Sequence, residues 1–150
     1  MTIASALFRA APLAAWLALA GCTAAPPAPP APEPSLYERA GGRAAIVAVV
    51  DDAFATAEAD PRINARFGNA AIAPLKRKLV DLLCMRMGGP CVYTGLNMSA
   101  AHEGMHIRGE EFDAMIEDIA KSLDKFKAPP REREEVLAIL RQMKGAIIEH

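Results

Sequence analysis

The sequence predicts an all-α protein. Apolar residues recur at spacings of three and four along several segments, which is the period of a helix with one buried face. No stretch alternates apolar and polar residues between turn signals, as a half-buried strand would. Glycine pairs and prolines stand at the junctions between the periodic segments, where helices end or begin.

The first 21 residues precede the fold. Arg9 is followed by an apolar run over residues 10–20, broken by Pro12 and ending Leu19-Ala20-Gly21-Cys22. The run is too short to span a bilayer and closes on small residues, so it reads as a secretory signal. Its last four residues resemble the lipobox of bacterial lipoproteins, which implies cleavage before Cys22 and acylation of that cysteine. Thr23 stands where an inner-membrane retention signal would carry Asp, which favours the outer membrane. Two or three acyl chains, at about 0.8 kcal/mol per buried CH₂, make a stable anchor.

Residues 22–34 form a tether. Six of the twelve prolines fall between Pro26 and Pro34, which disfavours helix and sheet and leaves extended polyproline II. At roughly 3.1 Å per residue the segment reaches about 30–40 Å.

Residues 35–150 suffice for one domain with a single core. Without residues 1–21 the chain carries 16 basic against 18 acidic residues. That balance offers no basic field for nucleic acid, and this class is set aside.

Within the domain a short turn at residues 36–40 closes on Gly41-Gly42. Residues 43–59 follow as a long helix with Ile46, Val47, Val50, Phe54 and Ala57 on one stripe, ended by Asp60-Pro61. Residues 62–69 are an irregular corner containing Phe67. Pro74 suits the first turn of the next helix, whose apolar face is Leu75, Leu79, Leu82 and Leu83, and Gly88-Gly89-Pro90 stops it. Residues 91–97 are a loop, and residues 98–105 give at most two helical turns. Residues 109–126 carry Phe112, Met115, Ile116, Ile119, Leu123 and Phe126. Pro130 opens a last helix bearing Val136, Leu137, Leu140, Met143 and Ile147 to its end.

Of three histidines, His102 and His106 stand four apart in His-Glu-Gly-Met-His. This matches H-E-x-x-H, which on a helix would present two zinc ligands with Glu103 as general base, as in a zinc hydrolase. Alternatively His102 alone is the axial ligand of a haem iron. Context weakens the zinc reading: Gly104 interrupts the motif, the segment is short, and Phe112 stands where a longer zinc motif has its third histidine. Only Glu110, Glu111 or Glu117 could replace that ligand.

Further signatures decide the matter. They are S-L-Y-E-R-A-G-G at residues 35–42, A-D-P-R-I at 59–63, G-G-P-C-V-Y-T-G at 88–95 and N-M-S-A-A-H-E-G-M-H-I at 97–107. Together, in this order, they resemble the truncated haemoglobins of group I over almost all of residues 35–150. The resemblance implies a two-over-two helical sandwich around haem b, with O₂, CO or NO as gas ligand. It places His102 on the proximal iron ligand and Phe67 on the aromatic residue packed against the porphyrin. Met98, Ile107, Phe112 and Met115 fall on positions lining the haem edge, and Lys78 on one that reaches a propionate, with Tyr93 in a similar role.

The distal side departs from the family pattern. Group I members usually carry a tyrosine in the second helix and often a glutamine facing it. Phe54 and Leu79 occupy those positions, with Leu75 one turn before Leu79 and Leu83 where a phenylalanine often lines a ligand tunnel. None of the four side chains donates a hydrogen bond. The expected function is therefore gas sensing, scavenging or redox chemistry, including NO-related redox activity with an unknown electron donor, rather than tight O₂ storage. A lipoprotein scaffold that has lost haem is the remaining alternative. With Cys22 lipidated on the periplasmic side, Cys84 and Cys91 remain, as a disulfide across the glycine turn or as two buried thiols.

Overall fold

The computed structural model describes residues 32–148 other than Asn69. The signal sequence, Cys22 and most of the tether lie outside the described residues. Among the described residues six α-helices run in the order α1 (Leu36–Arg39), α2 (Gly42–Ala59), α3 (Ile72–Arg86), α4 (Met98–His102), α5 (Gly109–Lys125) and α6 (Pro130–Arg141). Short 3₁₀ turns occupy Asn64–Arg66 and Lys144–Ala146. Among the described residues there is no strand, only an isolated bridge between Ile107 and Ile148.

Local chemistry explains the boundaries. Ser35 and Glu38 form a reciprocal capping box that starts α1, satisfying two backbone donors that a helix end leaves orphaned. Gly88 takes a left-handed φ of 81° as α3 ends, a conformation open to glycine at little cost. Gly89 packs under the Tyr37 ring, where a Cβ would come within 2.6 Å of it, while the Tyr37 N–H donates to the Met87 carbonyl at 2.9 Å. The glycine pair thus both ends α3 and seats α1 against it.

Four helices carry the core. The α2 helix packs on both α3 and α5, and α5 packs on α6. The residues buried between them include Ile46, Val50, Phe54, Val80, Leu83, Ile119, Leu123 and the fully buried Leu137. Val47, assigned to the buried stripe of α2, is 38 % exposed: consecutive helical residues point about 100° apart, so Val47 faces away from its neighbour Ile46. No described helix is long and apolar enough to cross a membrane.

The last helix ends earlier than its apolar stripe suggests. After Arg141 the chain tightens, with N–H of Met143 donating to Leu140, Ala146 to Met143 and Ile147 to Lys144, each at 3.0 Å. These are 3₁₀ bonds, and Gly145, a poor helix former, lies within the tightened segment. The α4 helix also stops early, on His102 rather than at residue 105.

Cys84 and Cys91 form a disulfide with Cα atoms 5.7 Å apart, inside the span a bridge requires. It ties the last turn of α3 to the loop that follows the glycine pair. An Nη1–H of Arg43 reaches the Cys91 sulfur at 3.2 Å, and the same guanidinium pairs with Asp81 at 2.8 Å.

Candidate functional site

A largely apolar cavity of about 390 Å³ opens between the helices, within the usual range of roughly 300–1,000 Å³ for small-molecule sites. Phe54 from α2 and Leu75, Leu79 and Leu82 from α3 form one wall; Met98, His102 and Ile107 lie around α4; Phe112 and Met115 come from α5. Phe67 meets Phe54 edge to face, with ring centroids 5.6 Å apart, an arrangement favoured by the ring quadrupoles.

His102 ends α4, and the helix itself orients the ring. The Asn97 side chain caps α4 by accepting the Ala100 N–H at 2.9 Å, fixing its first turn. The His102 Nδ1 lies 2.8 Å from the Met98 carbonyl oxygen. A carbonyl only accepts, so the contact requires a proton on Nδ1, and in that neutral tautomer Nε2 keeps its lone pair. A neutral imidazole oriented in this way is the arrangement of a metal-binding histidine with its other nitrogen held by a backbone partner.

His106 does not join it. Glu103 is already extended, with φ −54° and ψ 130°; Gly104 and His106 take left-handed φ values of 71° and 49°. The four-residue spacing therefore spans no helical turn, and His106 is exposed and off the cavity wall. Among the described residues no three His, Cys, Asp or Glu side chains gather to hold a bare metal ion. The zinc-hydrolase alternative loses its geometric basis.

At the cavity's polar rim, Lys78 donates to the Thr94 hydroxyl at 2.8 Å and the Tyr93 hydroxyl donates to the Leu96 carbonyl at 2.7 Å. Lys78 retains two further ammonium donors for an anionic group. The wall supplied by α2 and α3 otherwise holds no hydrogen-bond donor among its side chains. Leu83, expected beside the ligand, lines instead a second apolar cavity with Ile46, Met87 and Val136, because on α3 it lies on the side turned toward α2 and α6.

Arg66 and Glu111 also line the main cavity, and neither was expected from sequence. The Arg66 Nε and Nη2 donate to the two Glu111 carboxylate oxygens at 2.9 and 2.8 Å. The guanidinium, with help from the Arg108 N–H, pulls the Glu111 carboxyl down to about 2. Leu140, Met143 and Ile147 were read as core, and they reach this wall as well; the 3₁₀ tightening after α6 sets where the last two lie.

Residues 35–149 match the bacterial-like globin family. The chain is a truncated globin. A group 1 truncated hemoglobin of Tetrahymena thermophila is 37 % identical over 94 residues, covering 63 % of this chain and 78 % of that protein. The Fe(III) crystal structure of the Tetrahymena pyriformis truncated hemoglobin superposes with a TM-score of 0.73 at 30 % identity, covering 77 % of this globin and 98 % of that chain. A Synechococcus 2/2 hemoglobin, solved in the cyanomet state with covalently attached heme, gives 0.73 at 28 % identity, covering 78 % and 100 %. The fold is the two-over-two helical sandwich of these proteins, and its cofactor is haem b with its iron. The cavity suits that group: aromatic and aliphatic walls for a flat macrocycle, a histidine with a free ring nitrogen, and an ammonium at the rim for a carboxylate.

Proposed function

We propose that His102 is the sole protein ligand of the haem iron and that the globin binds diatomic gases without polar assistance on the opposite side. The observation that carries this reading is the Nδ1 contact to the Met98 carbonyl, which leaves Nε2 free on the wall of the apolar cavity. When bound, haem supplies an iron whose remaining coordination position takes O₂, CO or NO. Phe54, Leu75 and Leu79 would face that position, shielding it from water and offering nothing to a ligand that gains negative charge. Phe67, Met98, Ile107, Phe112 and Met115 would pack the macrocycle, while Lys78, and Tyr93 beside it, would meet the propionates.

Such a pocket discriminates against O₂, which depends on a donor, and favours CO and NO, which depend on one far less. The role that fits is gas sensing, scavenging or NO-related redox chemistry with an external electron donor, rather than tight O₂ storage. The site is set on an exported lipoprotein, anchored through acylated Cys22 on the periplasmic side of the outer membrane. What supports the anchor is the Leu19-Ala20-Gly21-Cys22 ending and the proline-rich segment behind it.

Absorption spectra of the purified protein in ferric, ferrous and CO-bound forms test the haem reading. A Soret band lost in His102→Ala and kept in His106→Ala is expected; protein purified without haem would leave the scaffold alternative. Cys22→Ala should move the protein from membrane to soluble fractions, and an unacylated N-terminal peptide by mass spectrometry would refute the anchor.

A further inference from the structure

We infer that Arg66 is a positioning residue for His102, acting through a clamp on the turn between the histidine and α5. The inference rests on His102 being the iron ligand.

The α4 helix has five residues and ends on His102 itself. Asn97 holds its start, but its other end runs straight into a turn with two left-handed residues. Gly104 takes that conformation freely. His106 does not: a residue with a Cβ stays there only when its surroundings impose it.

Arg66 makes the contacts that impose it. Its Nη1 donates to the Met105 carbonyl at 2.8 Å and its Nη2 to the His106 carbonyl at 3.3 Å. The same guanidinium grips both oxygens of Glu111, in the first turn of α5. Glu111 is 8 % exposed and also accepts the Arg108 N–H at 2.9 Å. One planar group thus fixes two successive carbonyls of the turn, the start of α5 and the 3₁₀ turn over Asn64–Arg66 in a single geometry.

The donor inventory separates this from carboxylate binding. A guanidinium has five N–H groups, and the four contacts above occupy four of them, on Nε, Nη1 and both hydrogens of Nη2. No free two-pronged face remains for a propionate, although Arg66 lines the cavity. Lysine could not substitute, since a point charge cannot match carboxylate and carbonyls together.

Arg39 is a built-in control. Its Nε reaches Glu132 at 2.9 Å, its Nη2 reaches Glu135 at 2.5 Å and its Nη1 reaches the Pro34 carbonyl at 2.9 Å. This clamp joins α1 to α6, and none of its members lines the haem cavity.

The test uses haem-loaded protein carrying Arg66→Met, Arg66→Lys or Arg39→Met. It reads the iron–histidine stretching band of the ferrous form by resonance Raman, and the rate of haem transfer to excess apomyoglobin. Loss of an outer-shell partner typically costs ~10–100-fold in affinity for the bound group. Both Arg66 variants should therefore shift or broaden the band and release haem ~10–100-fold faster. Arg39→Met should lower the thermal midpoint while leaving the band in place and haem loss within about twofold. Should Arg66→Met fail to fold, Glu111→Gln keeps the side chain's shape and should give a smaller change in the same direction. An unchanged band with haem loss within about twofold in Arg66→Lys and Glu111→Gln overturns the inference, as does an equal shift in Arg39→Met. Failure of the ligand reading looks different: the unmodified protein would lack the band, or His102→Gly would keep it without added imidazole.

Discussion

The two sides of the haem cavity are built by opposite means. Phe54, Leu75 and Leu79 stand on long helices held in place by packing, and they contribute shape without a hydrogen bond. His102 stands on a five-residue helix that packing alone would not hold. Its position comes from specific polar contacts: the Asn97 cap, the Met98 carbonyl and the grip of Arg66 on Met105 and His106. On this reading the distal side can exchange one apolar residue for another with modest consequence, whereas the loss of a single donor on the proximal side should loosen the hold on haem. If Phe54, Leu75 and Leu79 face the gas as proposed, control over reactivity falls to the histidine side.

The largest expected effect breaks the proximal side outright. His102→Ala should abolish haem retention, read as loss of the Soret band, while His106→Ala should leave the spectrum unchanged because that ring is off the cavity wall. Next in size, Phe54→Tyr gives the distal side the donor it lacks. A hydrogen bond to a charged group is worth about 1.5–3 kcal/mol, so O₂ dissociation by stopped flow should slow roughly 10- to 100-fold, with CO dissociation changing much less. If the unmodified protein already releases O₂ slowly and the substitution does nothing, the bare-pocket description is wrong.

The disulfide is the one covalent tie on the α3 side, and its loss measures how much that side relies on anything but packing. A loop this short corresponds to about 2.5 kcal/mol in the chain-entropy relation, and Cys84→Ala with Cys91→Ala should lower the denaturation free energy by roughly this amount, plus the cost of the space left at the fully buried Cys84. Two free thiols in unreduced, denatured protein would show that the bridge does not form.

The smallest effect is one of pH. Arg66 and the Arg108 N–H lower the folded-state carboxyl of Glu111 from 4.5 to about 2. A depressed carboxyl stabilises the fold above its unfolded value, and that contribution is lost as pH falls from about 4.5 toward 2. Over this window the thermal midpoint of the unmodified protein should fall more steeply than that of Glu111→Gln. Parallel curves would mean the clamp adds nothing to stability.

The same contrast explains what could be read in the sequence. Helical periodicity marked α2, α3 and α5, and with them the positions of Phe54, Leu79 and Phe112, because packing writes itself as a repeat. The spacing of Gly88-Gly89 and of His102 was legible through local motifs. The Arg66 clamp was not, since contacts to residues 39, 40 and 45 positions away leave no local pattern. Glu111 did carry a faint sign, an acid at the third position of a helix, where a capping carboxylate belongs. Leu83 was misplaced for a related reason: periodicity says that a residue is buried, and the side of α3 it faces is settled only by the helices packed around it. The 3₁₀ turn after α6 escaped notice because the apolar spacing continues through it to Ile147.

The Arg39 clamp bears on how this globin would carry mechanical load. Arg39 holds the Pro34 carbonyl, and Arg131 meets Glu33 at 3.3 Å, so the chain enters the domain at the corner where α1 meets α6. A pull arriving through residues 33 and 34 would be taken first by these ion pairs and by α1, none of which borders the haem cavity. Exposed pairs such as Arg131–Glu33 are individually weak and would yield one at a time, as a fuse does. If the domain is tethered as proposed, drag at this corner would break these pairs before it disturbed the turn that holds His102.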